Sequence, residues 1–494
     1  MKVVIYWFKR DLRIMDNVPL LNSINSGYKV IPLFVLEPEL WKQKELSLRQ
    51  YLFQLDCLLD LKKQLNSIGG KLIIKTGSVF NVFESLSKIF QIQAIYSHQE
   101  TWNYWTYQRD IEFRLWTKRK QIPWIESVQN GVIRGHKDRD KWGFNWLKLM
   151  KTNQVIAPLN IKSVKIKSDN LPKPVQLDLK NDNFNLIQKG GRKEAIKLLS
   201  SFTNSRGKYY QIRMSSPLTA MKSCSRLSTH LAFGTISMKE VFQKAESVKG
   251  KLDKEDKIWR KSINAFLSRL RWHCHFIQKL EDEPSLEFKP MNRMYEGLRE
   301  NSNLEFLKLW KNGETGYPMI DACMRCLNST GWLNFRMRAM LVSFACNHLW
   351  IDWKIVAENL GQLFVDYEPG IHYPQVQMQA CITGINSVRI YNPIKQGVDH
   401  DPNGVFIKKW IPELRETPNE IIHTPWVDKL NTNYKMPVID ESTSRKDAAR
   451  KIFEIRNKKD HSSHTAKILK KHGSRKNKSK GKVKNNSKQL ELFL

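Results

Sequence analysis

Cysteine is scarce here and follows no pattern. Seven are scattered through 494 residues, at 57, 224, 274, 323, 326, 346 and 381. An odd number without regular spacing argues against a disulfide framework and for a reducing, cytoplasmic compartment. The one close pair, Cys323-x-x-Cys326, lies in a helical pattern and reads as core, so no metal is expected. Long apolar runs free of charge are missing too, which excludes an ordinary membrane-spanning helix and any membrane partner of that kind. The apolar opening MKVVIYWF is too short for a signal peptide and lacks a small-residue cleavage site. It reads as a buried first strand. No internal repeat is visible.

Acidic residues are in short supply. Lys and Arg number 82 against 48 Asp and Glu, a net charge of +34. From Glu441 onward there are 17 basic and 5 acidic residues, so +22 remains on the preceding part. A basic body favours polyanions, nucleic acid first and an anionic membrane surface second.

Short β-branched segments (KVVIYWF, YKVIPLFVL, KLIIKTG, QAIYSHQ) alternate with helical patterns such as Leu46–Ser67 over residues 1–130. Strands separated by helices predict a parallel α/β sheet. Residues 131–190 include a stretch rich in Lys, Asn and Asp and are expected to form an exposed interdomain connection. Gly190-Gly191 then precede a helical pattern that predicts an all-α domain over 191–435. Residues 441–494 are basic and poor in apolar groups and are expected to be disordered. The predicted fold class is therefore α/β plus all-α with a basic tail.

Several motifs occur in order: VIYWFKRDLRIMDN (Val4–Asn17), TGYPMIDACMRCLNSTGWLNFRMR (Thr315–Arg338), WIDWK (Trp350–Lys354), DYEPGIHYPQVQMQ (Asp366–Gln379) and RIYNPIKQG…DPNGVFIKKWIPEL (Arg389–Leu414). Together they resemble the photolyase/cryptochrome family of blue-light flavoproteins. The resemblance implies an N-terminal antenna domain, a helical domain binding FAD, and a monomer. It leaves a second, light-harvesting chromophore (a folate or a deazaflavin) open, with Glu100, Asn103 and Tyr107 on the edge that would face it.

A flavin dinucleotide needs phosphate donors, charged groups near the ring and apolar walls. Cys224-Ser225-Arg226-Leu227-Ser228 resembles the family's pyrophosphate-holding Thr-Ser-x-Leu-Ser, with Tyr209 and Arg213 just upstream. Taken alone, the same residues also fit an ordinary helix N-cap. Arg338 takes the place of an arginine beside the flavin, near Asp366. Asp366-Tyr367-Glu368 resembles Asp-Gly-Asp. His372 falls next to the flavin N5, where photolyases commonly carry Asn. An imidazole there would tune the protonation of the reduced ring.

Four positions depart from a standard repair enzyme. Trp272 matches the tryptophan that packs the flipped lesion, but Arg269 stands where a glutamate hydrogen-bonds it. That exchange reverses charge and removes an acceptor. Phe335, after Asn334, replaces a polar catalytic residue, and Met378 replaces a second packing tryptophan. Trp310 and Trp353 resemble the distal and middle members of an electron-carrying tryptophan triad, while the flavin-proximal position is Val376. Tyr367, Tyr373, Trp332 and Trp350 remain open as substitutes.

A flipped base calls for a basic rim around an aromatic-lined hole. Arg226, Arg336, Arg389 and Lys395, with the Lys408-Lys409 pair, lie in motifs that border it in relatives. The chain ends in Gln489-Leu490-Glu491-Leu492-Phe493-Leu494, similar to the bacterial sliding-clamp motif Gln-Leu-x-Leu-Phe. Apolar anchors on a basic tether suit a docking peptide. The resemblance implies light-driven repair of UV-induced pyrimidine dimers in DNA. The alternative is a cryptochrome-like photoreceptor without repair.

Overall fold

The computed structural model describes residues 1–135, 139–180, 182, 184–185, 187–427 and 433–474. Five strands, β1 (Lys2–Phe8), β2 (Lys29–Leu36), β3 (Ile73–Thr76), β4 (Gln91–His98) and β5 (Trp124–Ser127), form one parallel sheet in the order β3-β2-β1-β4-β5. All but the first residue of β1 and of β2 are buried, as a sheet covered by helices on both faces requires. The four strand-like segments of the sequence are β1 to β4. The edge strand β5, WIES, has no fully buried residue and therefore no apolar run to betray it. The order reverses between β1 and β4, which opens a crevice at the C-terminal strand ends.

The predicted helix after β2 runs Leu48–Ser67. It starts at Ser47 with a capping box, Gln50 accepting from the Ser47 amide at 3.0 Å. This helix also ties the sheet domain to the helical domain. The fully buried Arg49 pairs with Asp182 and donates to the carbonyls of Leu327, Asn328 and Leu363. Gln50 donates to Gly361 O at 2.7 Å and Phe364 O at 2.9 Å.

A second seam lies after β1. Leu12 N donates to Phe233 O, Arg10 Nε to Ala232 O and Arg13 Nη1 to Gly234 O. Gly234 has φ +67°, and a Cβ there would lie 2.1 Å from Arg10 O. Only glycine permits this approach.

The all-α part is organised around the 26-residue helix Lys257–Asp282, with Pro369–Gln379 packed across it. The two meet at Gly370, where a Cβ would sit 2.6 Å from Ile277 Cα. The helix Phe335–Ser343 runs on into a single π-helical turn, Phe344–His348.

Two expectations need correction. The 131–190 connection is not uniformly exposed. It carries the helix Trp142–Met150, whose Trp142, Trp146 and Met150 recur every four residues and join the core of the helical domain. Residues 441–472 are not disordered. They form the helices Glu441–Arg456 and His461–His472, anchored by buried Ala448 and Ile452 and by His472 Nε2 to Glu283 Oε2 at 2.8 Å. A reading averaged over the whole basic segment hides this short apolar stripe. Residues 475–494, including the clamp-like Gln489, Leu490, Leu492 and Phe493, lie outside the described residues. No helix among the described residues is long and apolar enough to cross a membrane.

Candidate functional site

The helix Lys257–Asp282 presents Arg269, Trp272, His273 and Phe276 along one face, at i, i+3, i+4 and i+7. Opposite lie Ile371 and Gln375 from Pro369–Gln379, and Trp332, Asn334, Phe335 and Arg336 from the start of Phe335–Ser343. They enclose a cavity of about 280 Å³, completed in part by Cys224, Ser228 and Tyr391. Four lining residues carry a buried polar atom without a hydrogen-bond partner: His273 Nδ1, Asn334 Oδ1, Gln375 Oε1 and Arg336 Nε. Buried polar groups are normally satisfied. A planar ring system bearing both carbonyls and an imide N–H would supply acceptors and donors for such groups, so the residues present fit a flavin.

Charge beside the cavity is organised by one ion pair. Arg338 grips Asp366 with two parallel bonds of 3.0 Å, while its Nε donates to Leu333 O at 2.6 Å. Burial pushes the Asp366 carboxyl up. Arg338, the Ser228 hydroxyl and Arg226 outweigh it and hold the carboxyl below its usual range. Burial pushes Glu368 up to about 8, with Arg10 opposing. Its Oε1 is buried without a partner. Glu368 lines a smaller cavity of about 20 Å³ with Arg10, Trp102 and His273.

His372 is buried among the rings of Phe364, Tyr367 and Tyr373. Its Nε2 lies 2.9 Å from Ala357 O. A carbonyl only accepts, so Nε2 carries the hydrogen. Burial lowers the imidazole to about 4, so near neutrality Nδ1 keeps a free lone pair.

Of the other residues singled out in the sequence, Arg269 lies with its guanidinium 5.3 Å from the Trp272 ring centre and 5.6 Å from that of Phe335. Phe335 is 46% exposed at the cavity mouth. Arg226 adopts φ +64° and stacks on Trp332 at 3.9 Å, which brings it to the cavity wall. Tyr209 is half-exposed under Arg213. Leu227 is buried in the core of the helical domain, which leaves its backbone to face a ligand. Ser225 Oγ accepts from the Leu227 amide, and Ser228 opens a helix of only five residues. Arg336 lines the cavity beside the half-exposed Arg389, while Lys395 is exposed and pairs with Asp399 at 3.2 Å.

Trp353 is buried and lies 6.4 Å from Tyr373, centre to centre. Trp310 is wholly buried in the helical core. The outermost carrier of an electron chain must exchange with solvent, so Trp310 does not suit that place.

Asn334, His273, Gln375 and Tyr391 enter the cavity although the sequence reading gave them no role there. One carried a signal in the sequence: His273 lies four residues after Arg269, the spacing of one helix face. Cys323 and Cys326 are buried free thiols, and among the described residues no group of three or more His, Cys, Asp or Glu is placed to hold a metal ion.

A second cleft, about 370 Å³, opens at the C-terminal ends of β2 and β3. Its walls include Phe80, Tyr104, Trp105 and Phe288 with Glu37, Glu39, Glu112 and Glu287. The neighbouring Glu100 is paired with Arg109, and Asn103 caps the helix Tyr104–Arg119. Together with Tyr107 they line a space of only about 10 Å³.

Residues 4–135 match the family described as DNA photolyase, and residues 266–454 match the FAD binding domain of DNA photolyase. A deoxyribodipyrimidine photo-lyase of Alkalihalophilus pseudofirmus is 27% identical over 477 residues, which span 90% of this chain and 96% of that protein. A cryptochrome of Synechocystis has the same fold, with TM-score 0.82 and 22% identity over 91% of this chain and 99% of its own. An archaeal photolyase of Sulfolobus tokodaii, solved with two FAD molecules, aligns with TM-score 0.77 at 26% identity over 92% of this chain and all of its own. The chain belongs to the photolyase/cryptochrome family.

Proposed function

We propose that this protein is a blue-light-dependent DNA photolyase, a lyase that splits UV-induced pyrimidine dimers. The observation that carries the reading is the mouth of the 280 Å³ cavity, where Trp272 and the half-exposed Phe335 stand with Arg269 and Arg336, the flavin being assigned to the buried part of the same cavity. An aromatic hole with a cationic rim is what a flipped, stacked lesion on a phosphate backbone requires.

Bound FAD, which Arg226, Ser225, Ser228 and Arg338 would hold, would supply the light-driven one-electron chemistry that splits the dimer. The chain supplies the surroundings. Arg338, held by Asp366, places a positive charge near the flavin ring, and Arg226 with Ser225 and Ser228 faces the phosphates. His372, with Nε2 committed to Ala357, accepts a hydrogen through Nδ1 and so favours an N5-protonated ring. Trp272 offers a face to the flipped bases, and Arg269 donates to lesion carbonyls in place of a carboxylate. Arg389 and Lys395 extend the backbone contact.

The aromatic, acid-lined cleft beside Tyr104 is the candidate place for a second chromophore. Arg109 on its wall pairs with Glu37 at 2.6 Å and burial pushes Glu287 up to about 8, so the cleft carries less negative charge than its four carboxyl groups suggest. The Sulfolobus tokodaii photolyase, described with a second FAD as a light-harvesting cofactor, lends support to a two-chromophore reading. We place the protein in the cytoplasm as a monomer. The terminal Gln489-Leu490-Glu491-Leu492-Phe493 would dock on a bacterial sliding clamp. Retention on clamp resin should be lost in a Leu492→Ala/Phe493→Ala double variant, and equal retention removes the idea.

The alternative, a cryptochrome-like photoreceptor, draws on one observation. Arg269 leans over both Trp272 and Phe335, leaving no carboxylate acceptor there. The deciding experiment is blue-light repair by the FAD-loaded, reduced protein on defined dimer and (6-4) oligonucleotides. Loss of lesion supports the enzyme. Intact flavin photoreduction without repair moves the assignment to the photoreceptor.

A further inference from the structure

A protein that recharges a flavin by light needs an oxidisable side chain close to it, and Val376 cannot serve. The surroundings of the aromatic candidates differ in charge. The Trp332 ring lies under the Arg226 guanidinium at 3.9 Å. The Trp350 ring contacts both Arg299 at 4.5 Å and Lys451 at 4.4 Å. A cation against an indole face stabilises the neutral ring and repels the radical cation left by electron loss. Both tryptophans are thereby made poor donors. Trp310 is sealed in the core.

Tyr373 has the opposite surroundings. It is 2% exposed, and its hydroxyl donates a short hydrogen bond to the Glu45 carboxylate. The ring stands edge-on between Trp353, 6.4 Å away at 87°, and His372, 5.5 Å away at 75°. Burial and Glu45 push the phenol well above its usual range, so it starts protonated and must shed its proton when oxidised. Glu45 comes from the sheet domain, at the seam where Gln50 and Arg49 fix the two domains together. It is half-exposed, which gives the proton a way out.

We propose that Tyr373 is the proton-coupled electron donor that replaces the ring missing at Val376, with Glu45 as its proton acceptor. This rests on the FAD reading. One electron passes from Tyr373 to the light-excited oxidised flavin. The phenolic O–H bond breaks, the proton moves to the Glu45 carboxylate, and a neutral tyrosyl radical remains. A thiol from solvent then returns one electron, Glu45 returns the proton, and the thiol's own proton leaves to water. Trp353, 6.4 Å from Tyr373, can share the radical.

The test is electron paramagnetic resonance on illuminated, FAD-loaded protein carrying ring-deuterated tyrosine or ring-deuterated tryptophan, with flavin content measured in every sample. Tyrosine deuteration is expected to narrow the protein radical signal. Tyr373→Phe should abolish that signal and slow flavin photoreduction by about tenfold or more at unchanged FAD content and melting temperature. Glu45→Gln should leave FAD bound, lower the radical yield several-fold, and diminish the solvent deuterium isotope effect on photoreduction. A signal narrowed only by tryptophan deuteration, or photoreduction in Tyr373→Phe within about twofold of the parent, overturns the assignment while leaving the flavin reading intact. A purified protein that binds no FAD overturns both.

Discussion

Arg338 and Asp366 meet as a two-pronged ion pair, Nη1 to Oδ1 and Nη2 to Oδ2, each at 3.0 Å. The Asp366 side chain is almost wholly buried, and that of Arg338 is about a quarter exposed. Removing the arginine strands a buried carboxylate. Arg338→Ala should cost about 3–5 kcal/mol of unfolding free energy and release FAD. Arg338→Lys should recover only part, because an ammonium cannot match both oxygens. The folded Asp366 carboxyl titrates below its unfolded value. Its contribution is therefore present above the unfolded value, about 3.9, and lost as pH falls through the folded one. Urea unfolding of parent and Arg338→Ala protein should converge in strongly acidic buffer. A difference that persists there refutes the pairing argument.

Two buried histidines give a pH dependence of their own. Burial lowers His372 to about 4, with Arg338 pushing the same way and Asp366 opposing. Burial likewise lowers His273 to about 4, opposed by Asp366. Unfolded histidine titrates near 6.5, so between about 6.5 and 4 the unfolded chain binds protons that the folded one refuses. Stability should fall with pH across that window by up to about 1.4 kcal/mol per unit for each group. His372→Gln should remove one histidine's share of the slope while keeping an amide that reaches Ala357. Denaturant midpoints at several pH values would check this, and an unchanged slope would count against the buried neutral state of His372.

Gly234 joins the domains at a point where a methyl group does not fit. Its φ is +67°, and a Cβ would press on Arg10 O. Gly234→Ala should lower stability by about 1–3 kcal/mol or more, since backbone strain and the clash act together. Gly250, with nothing within 4 Å of its Cβ position, lies near the end of the helix Met238–Lys251. Gly250→Ala should be neutral or stabilise by up to about 1 kcal/mol. Thermal melts of the two variants separate a seam effect from a general intolerance of alanine.

How legible these features were follows from how local they are. β1 to β4 and the helix after β2 show directly in the sequence, because period and composition are properties of neighbouring residues. The Arg338–Asp366 pair was legible through motif order alone, its partners lying 28 positions apart. Tyr373 could not be ranked above Trp332 or Trp350 from sequence. What separates them is which charge touches each ring, and Glu45 is 328 residues away in the chain. Trp310 was misread for a related reason, since its burial depends on helices that close over it. The helices of 441–472 were missed because an apolar stripe at Ala448 and Ile452 is too short to register against seventeen basic residues from Glu441 onward.

Lesion contact and backbone contact should separate in binding measurements. Trp272 and Arg269 line the cavity itself, whereas Lys395 is exposed outside it and pairs with Asp399. Stacking on an aromatic face is worth about 1–3 kcal/mol per base, so Trp272→Ala should weaken binding of a dimer-containing oligonucleotide by about tenfold to a hundredfold. Its affinity for undamaged duplex should hardly change, because no base enters the cavity there. Arg269→Ala should follow the same pattern with a smaller loss, since it gives up hydrogen bonds to the lesion while also uncovering Trp272. Lys395→Ala should weaken both ligands equally and reduce the slope of log affinity against log salt by about 1, as one phosphate contact is lost. Fluorescence anisotropy over a salt series resolves the three behaviours. If Trp272→Ala and Lys395→Ala proved indistinguishable, the cavity would not be where the lesion sits.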